Sequence, residues 1–125
     1  MQEILGASVL SLLDPAERSA TANGSAADIL DYEGQAAAIL QSAAGTGTTP
    51  TLDVKLQDSA DGSTGWADVT GAAFTQVTNA AASAQVVKFN ASAVKRYIRA
   101  VATVAGTTPL FACSVSFVGK KQIIP

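Results

Sequence analysis

The sequence predicts an all-β protein, an antiparallel β-sandwich of jelly-roll type with extended N- and C-terminal arms. Three observations carry this. Short runs alternate apolar and polar residues, turn signals separate them at short intervals, and the middle of the chain lacks a strong long helix. The 125 residues suit one domain, which at this size buries roughly two-thirds of its unfolded surface. Apolar residues make up 48% and charged ones 14%, which excludes a disordered chain. Aromatics are only 6%, so the core must be built mainly from Val, Ile, Leu and Ala.

Each element follows in chain order. "EILGASVLSLLDPAER" places Leu5, Val9, Leu12 and Leu13 on one helical stripe, and an extended arm fits it equally well. Residues 1–17 are taken as an N-terminal arm, 18–119 as the sandwich and 120–125 as a C-terminal tail. "ADILDY" and "QAAAILQS" read as a pair of strands separated by Glu33-Gly34. In "TLDVKLQDS", Leu52, Val54 and Leu56 share one face, and Asp53, Lys55 and Gln57 the other. "AQVVKF" is short and β-branched. "NASAVKRYIRAVATV" fits both helical and strand periods. Its β-branched content and the turn signal after it favour a turn at Asn90–Val94 and a strand from Arg96. "PLFACSVSFVG" turns Phe111, Cys113, Val115 and Phe117 inward and Ala112, Ser114 and Ser116 outward.

The tetrapeptide "GTTP" occurs twice, at Gly47–Pro50 and Gly106–Pro109, each time between apolar strands. Glycine permits positive φ and proline withholds a donor, so each copy is expected to be a hairpin loop.

The sequence argues against catalysis. There is no histidine, so the commonest general base and metal ligand is missing. The single cysteine, Cys113, sits mid-strand on an apolar face and reads as an inert core residue. "GTGTT" lacks the lysine and helix of a phosphate-binding loop. No cofactor and no metal are expected. One cysteine also excludes an intrachain disulfide, and the N-terminus lacks a basic n-region. The expectation is a soluble protein made in a reducing compartment. Acids dominate the first fifty residues, and only bases follow Asp68. We read this as halves, or subunits, meeting through opposite charges, because nucleic-acid binding needs a denser basic cluster.

"LQDSADGSTGWADV" offers the best candidate for a ligand loop. Asp58, Asp61 and Asp68 lack the alternate spacing and late glutamate of a calcium loop. Asp61-Gly62 is a favoured turn dipeptide, and Asp58 and Ser59 can cap its N–H groups. Trp66 then opens the next strand, with Trp66, Asp61 and Asp68 as the possible surface or glycan contacts.

Taken together, the "DYEG" turn, the "LDVKLQDSADGS" and "WADV" hairpin and "KRYIRAVATV" before "GTTP" resemble small virion proteins of tailed bacteriophages, over about Glu17–Gln122. Gly65 is additional within the hairpin run. The resemblance implies a capsid decoration, or cement, protein. Such a protein sits on the outer capsid surface of the virion after assembly in the host cytoplasm. Its implied partners are the major capsid protein and further copies of itself, as a dimer or trimer on symmetry axes, with no nucleic acid and no membrane. Capsid or subunit contacts are then expected from Leu5, Val9, Leu12 and Leu13, or from Ile123 and Ile124. Removing residues 2–13 or 120–125 is expected to weaken capsid binding and leave the domain folded. The alternatives are a discoidin-like glycan-binding module on the virion exterior and a tail or neck protein.

Overall fold

The computed structural model describes residues 7–121. Eight strands follow in order: β1 (Ala7–Arg18), β2 (Ala22–Asn23), β3 (Ala27–Asp28), β4 (Tyr32–Ser42), β5 (Thr46–Ser59), β6 (Ala67–Ala73), β7 (Ser83–Asn90) and β8 (Tyr97–Lys121). Every pairing is antiparallel, and no helix occurs among the described residues.

β8 organises the whole molecule. Its first half lies between β5 on one side and the short β2 and β3 on the other, with β6 beyond β5. Its second half lies between β1 and β4, with β7 beyond β4. We call β1–β8–β4–β7 sheet I and β2/β3–β8–β5–β6 sheet II. Because β8 runs through both, the result is a nearly closed, barrel-like antiparallel sandwich.

The two "GTTP" copies cause the passage from one sheet to the other, and here an expectation is corrected. They are not hairpin loops. They lie inside β5 and β8 and face each other, with Thr48 opposite Thr107 and Thr51 opposite Ala105, at two register shifts. Gly47 and Gly106 take φ of 106° and 119°, and Thr49 and Thr108 both take 46°. A β-branched residue at positive φ is a genuine outlier, held here because each extra residue bends its strand sharply. The same residues give the same backbone on both strands. A paired bulge and a hairpin both need positive φ, so the sequence signal could not separate them.

Alternation fills the core. Leu52, Val54 and Leu56 point inward from β5, Ala38 and Leu40 from β4, and Ile98, Ala100, Phe111, Val115 and Phe117 from β8. Each large apolar side chain of this kind contributes about 1.5–3 kcal/mol on burial. The Tyr32 ring meets Phe117 edge-on at 4.9 Å. Gly119 makes room for them, since a Cβ there would lie 2.6 Å from the Phe117 ring and 2.9 Å from that of Tyr32.

Two seams join the sheets. At one, the Gln85 amide imitates a strand: its Oε1 accepts from the Thr75 N–H at 2.7 Å, and its Nε2 donates to the Thr75 carbonyl at 2.8 Å. At the other, Gly24 donates to the Ala100 carbonyl at 2.7 Å, and a Cβ on it would overlap the Leu12 carbonyl oxygen.

The N-terminal boundary also needs correction. Residues 7–17 are not an arm or a helix but most of β1, paired with β8 from Ala7↔Lys120 to Arg18↔Phe111. Leu12 and Leu13 are 0% and 2% exposed. Two bulges, between Ser11 and Leu13 and between Leu13 and Ala16, bring adjacent leucines into the core and break the simple alternation. Likewise "ADILDY" is not a partner of "QAAAILQS". Ala27–Asp28 pairs with Ile98 and Tyr97, and β4 begins at Tyr32.

Candidate functional site

The hairpin loop between β5 and β6 is held by one carboxylate. Asp61 Oδ1 accepts from the Ser63 N–H at 2.9 Å, the Thr64 N–H at 2.8 Å and the Ser59 hydroxyl at 3.0 Å, and Oδ2 accepts from the Thr64 hydroxyl at 2.8 Å. The Thr64 N–H leads in holding the Asp61 carboxyl far below the usual carboxylate range, because four donors favour the charged form. Ser59 is fully buried and receives the Gly62 N–H at 3.1 Å, and its one hydroxyl proton is shared between the Asp61 carboxylate and the Thr64 carbonyl. Asp58 does not cap this turn. Its carboxylate accepts the Lys95 N–H at 3.1 Å and so ties the hairpin to the turn before β8.

Trp66 immediately precedes β6 and is half-buried. The Arg99 guanidinium from β8 lies over its ring, 4.3 Å from the centroid. That guanidinium also donates to the Gln57 Oε1 at 3.1 and 2.8 Å. Gln57 Nε2 donates to Asp68 at 2.9 Å, and Asp68 pairs with Lys55 at 3.0 Å. The Gln57 and Lys55 hydrogen bonds lower the Asp68 carboxyl. Lys55, Asp68, Gln57, Arg99 and Trp66 thus form one chain of contacts across the outer face of sheet II. Arg99 and Gln57 were missed as site residues. Their alternation put them on the outer face, but the β5–β8 register that places Gln57 opposite Arg99 is not written in either strand alone.

The charge asymmetry of the sequence has one direct counterpart. Arg96, in the basic half, pairs with Asp28, in the acidic half, at 2.9 Å. The Asp28 carboxyl is lowered chiefly by this hydrogen bond. Both side chains are close to half exposed, so the pair adds little stability. Burial pushes the Cys113 thiol up, which keeps it protonated and unreactive at neutral pH. No group of three metal-ligating side chains occurs among the described residues.

The outer face of sheet I is different. The pairing register lays out two rows, Val9–Val118–Ala37–Lys88 and Ser11–Ser116–Ile39–Val86. Val9 and Val86 are 65% and 57% exposed.

Of the contact candidates on the N-terminal strand, then, Val9 is on this open face. Leu12 and Leu13 are committed to the core and cannot meet a partner. Leu5, Ile123 and Ile124 lie outside the described residues. The Ala7↔Lys120 pairing sets the start of β1 beside the end of β8, at one end of sheet I.

Among known proteins, no family model matches the chain, and no curated protein matches it significantly.

Proposed function

We propose that the chain is a non-enzymatic decoration protein of a tailed-phage capsid, binding the outer surface of the major capsid protein lattice and bridging neighbouring subunits. One observation supports this most: β1 begins beside the end of β8, and the apolar residues Leu5, Ile123 and Ile124 stand within three positions of those strand ends in the sequence. An end with apolar side chains on both chain segments suits docking on another protein surface. Burying three such side chains contributes several kcal/mol, at about 1.5–3 kcal/mol each, before ordering costs. Lattice multiplicity then converts a weak contact into a strong one, since neighbouring contacts act at high effective concentration.

The glycan-binding alternative has less support. One face of Trp66 is already covered by Arg99, and Asp61 and Asp68 are spent on internal hydrogen bonds.

Cosedimentation with shells of the major capsid protein tests the proposal. The wild-type chain is expected to bind saturably. Leu5→Asp combined with Ile124→Asp is expected to reduce affinity at least tenfold with an unchanged melting temperature. Equal binding by that variant removes this end from the contact, and wild-type protein left in the supernatant ends the reading. Deleting residues 2–13 no longer serves as a test, because it removes Leu12 and Leu13 from the core. Locating the protein in virion density separates a head position from the tail or neck.

A further inference from the structure

We infer that the outer face of sheet I is a two-fold interface with a second copy of this chain. The inference stands independently of the capsid proposal.

The face has the size an interface needs. Four strands about 4.8 Å apart, each giving roughly ten residues at about 3.3 Å, make a footprint of roughly 600 Å² before side-chain relief is added. A standard specific interface buries about 800 Å² per partner. The face extends from the Ala7↔Lys120 end of the sheet to Ala112 and Ala84.

Its chemistry is that of an interface centre. Val9, Ile39, Val86 and Val118 supply the apolar area, with small Ala and Ser between them. Charge is confined to the margins. Beyond the Val9–Val118 row the register sets Glu33 beside Lys120, opposite signs that already offset one another. Three further charges stand at the edges of the face: Asp14 on edge strand β1, whose carboxylate accepts from the Ser11 hydroxyl at 2.6 Å, and, at diagonal corners, Lys88 and Glu17. Lys88 lies on edge strand β7 beside Ala37, and Glu17 lies on edge strand β1 beside Ala112. Glu17 is the single charged residue lining an open groove of about 730 Å³ between β1 and the start of β7.

This arrangement is self-complementary. In a two-fold interface each residue meets a partner residue reciprocally. If the axis lies in the plane of the face and perpendicular to the Lys88–Glu17 diagonal, each Lys88 is brought to the partner's Glu17 corner. The two sheets then cross at a steep angle, a known mode of sheet packing. Opposite charges meet twice at the rim, and the uncharged rows meet in the middle, as specific interfaces are built.

Sedimentation equilibrium of the full chain tests this. Wild type is expected at twice the 12.6 kDa chain mass. Val86→Asp and Ile39→Asp are each expected at the monomer mass, with unchanged far-UV circular dichroism showing that they fold. Glu17→Lys and Lys88→Glu are each expected to raise the dimer dissociation constant several-fold, and the double exchange to return it towards wild type. Wild type that stays monomeric up to about 100 µM overturns the inference, as it would if the chain's own ends covered the face. So does an assembly that both aspartate variants leave intact. Charge exchanges that have no effect, or fail to restore one another, overturn the crossed geometry.

Discussion

The outer faces of the two sheets are built from strands of the same period, and β8 contributes to both, yet they differ in kind. On sheet II, β8 presents Arg99, and β5 and β6 present Lys55, Gln57 and Asp68; each polar group there is bonded to another across a strand boundary. On sheet I, after the bulge, the same β8 presents Ser114, Ser116 and Val118, beside Ile39 and Val86. One face is satisfied within the molecule and presents its remaining polarity to water. The other has little to satisfy and leaves apolar area open. The difference teaches that the bulge at Gly106–Pro109 does more than bend a strand. It is the point at which β8 passes from the bonded polar exterior of sheet II to the Ala112–Val118 row of sheet I, which carries no charge until Lys120.

Perturbing what both sheets share gives the largest effect. Leu12→Ala removes a fully buried side chain between them and is expected to cost about 2–5 kcal/mol, read as a lowered urea midpoint at unchanged slope. A cost below about 0.5 kcal/mol is the value of a surface site and would mean that β1 is not packed on the core.

Next, the two outer faces should separate cleanly. At dilutions where the protein is monomeric, Trp66→Ala on sheet II is expected to lose about 1–2 kcal/mol, because a half-buried aromatic is removed. Val86→Asp on sheet I is expected to change monomer stability by less than about 0.5 kcal/mol. Equal losses in chemical denaturation would erase the distinction.

A smaller effect probes the sheet II contacts alone. Arg99→Ala is expected to cost about 0.5–1 kcal/mol and to shift Trp66 emission to the red, since the guanidinium leaves one ring face. An unmoved emission maximum would show that the ring is shielded by something else.

The smallest effect is the pH dependence. Asp28, Asp61 and Asp68 all have folded pKa values below the ordinary 3.8. A group lowered on folding stabilises the protein above its unfolded pKa, and that stabilisation is lost as pH falls through the folded value. Stability should therefore be level at neutral pH and decline below about pH 4, with Asp61 the last of the three to protonate. Asp61→Asn should flatten the most acidic part of the curve. A melting temperature independent of pH between 7 and 2 would contradict the hydrogen-bond assignments.

Much of this architecture was legible in the sequence where a strand has one wet face and one dry one. Leu52, Val54 and Leu56, and Phe111 to Phe117, alternate as read, and they are core. β1 was not legible, because its bulges put Leu12 and Leu13 side by side in the interior and imitate a helical stripe. The "GTTP" pair was legible as two breaks and not as one contact, since the pairing joins residues almost sixty positions apart. The turn was legible from the Asp61-Gly62 dipeptide, a local signal, but its capping carboxylate was expected at Asp58 and is Asp61. Arg99 over Trp66 is non-local, and only the register reveals it. The open face of sheet I was half visible in the uncharged outer row of β8. It gained meaning only when β7, β4 and β1 were laid beside it.

The central place of β8 also sets an order of events during synthesis. Among the described strands β8 is the last to be synthesised, and it is the neighbour that β1, β2, β3, β4 and β5 all require. Until residues 97–121 have emerged, neither sheet has a middle, and β1 waits more than ninety residues for its partner. Productive folding is therefore paced by long-range pairing, which is intrinsically slow. Meanwhile the nascent chain must stay clear of its neighbours with its β-rich segments unpaired, a hazard that grows when many copies are made at once.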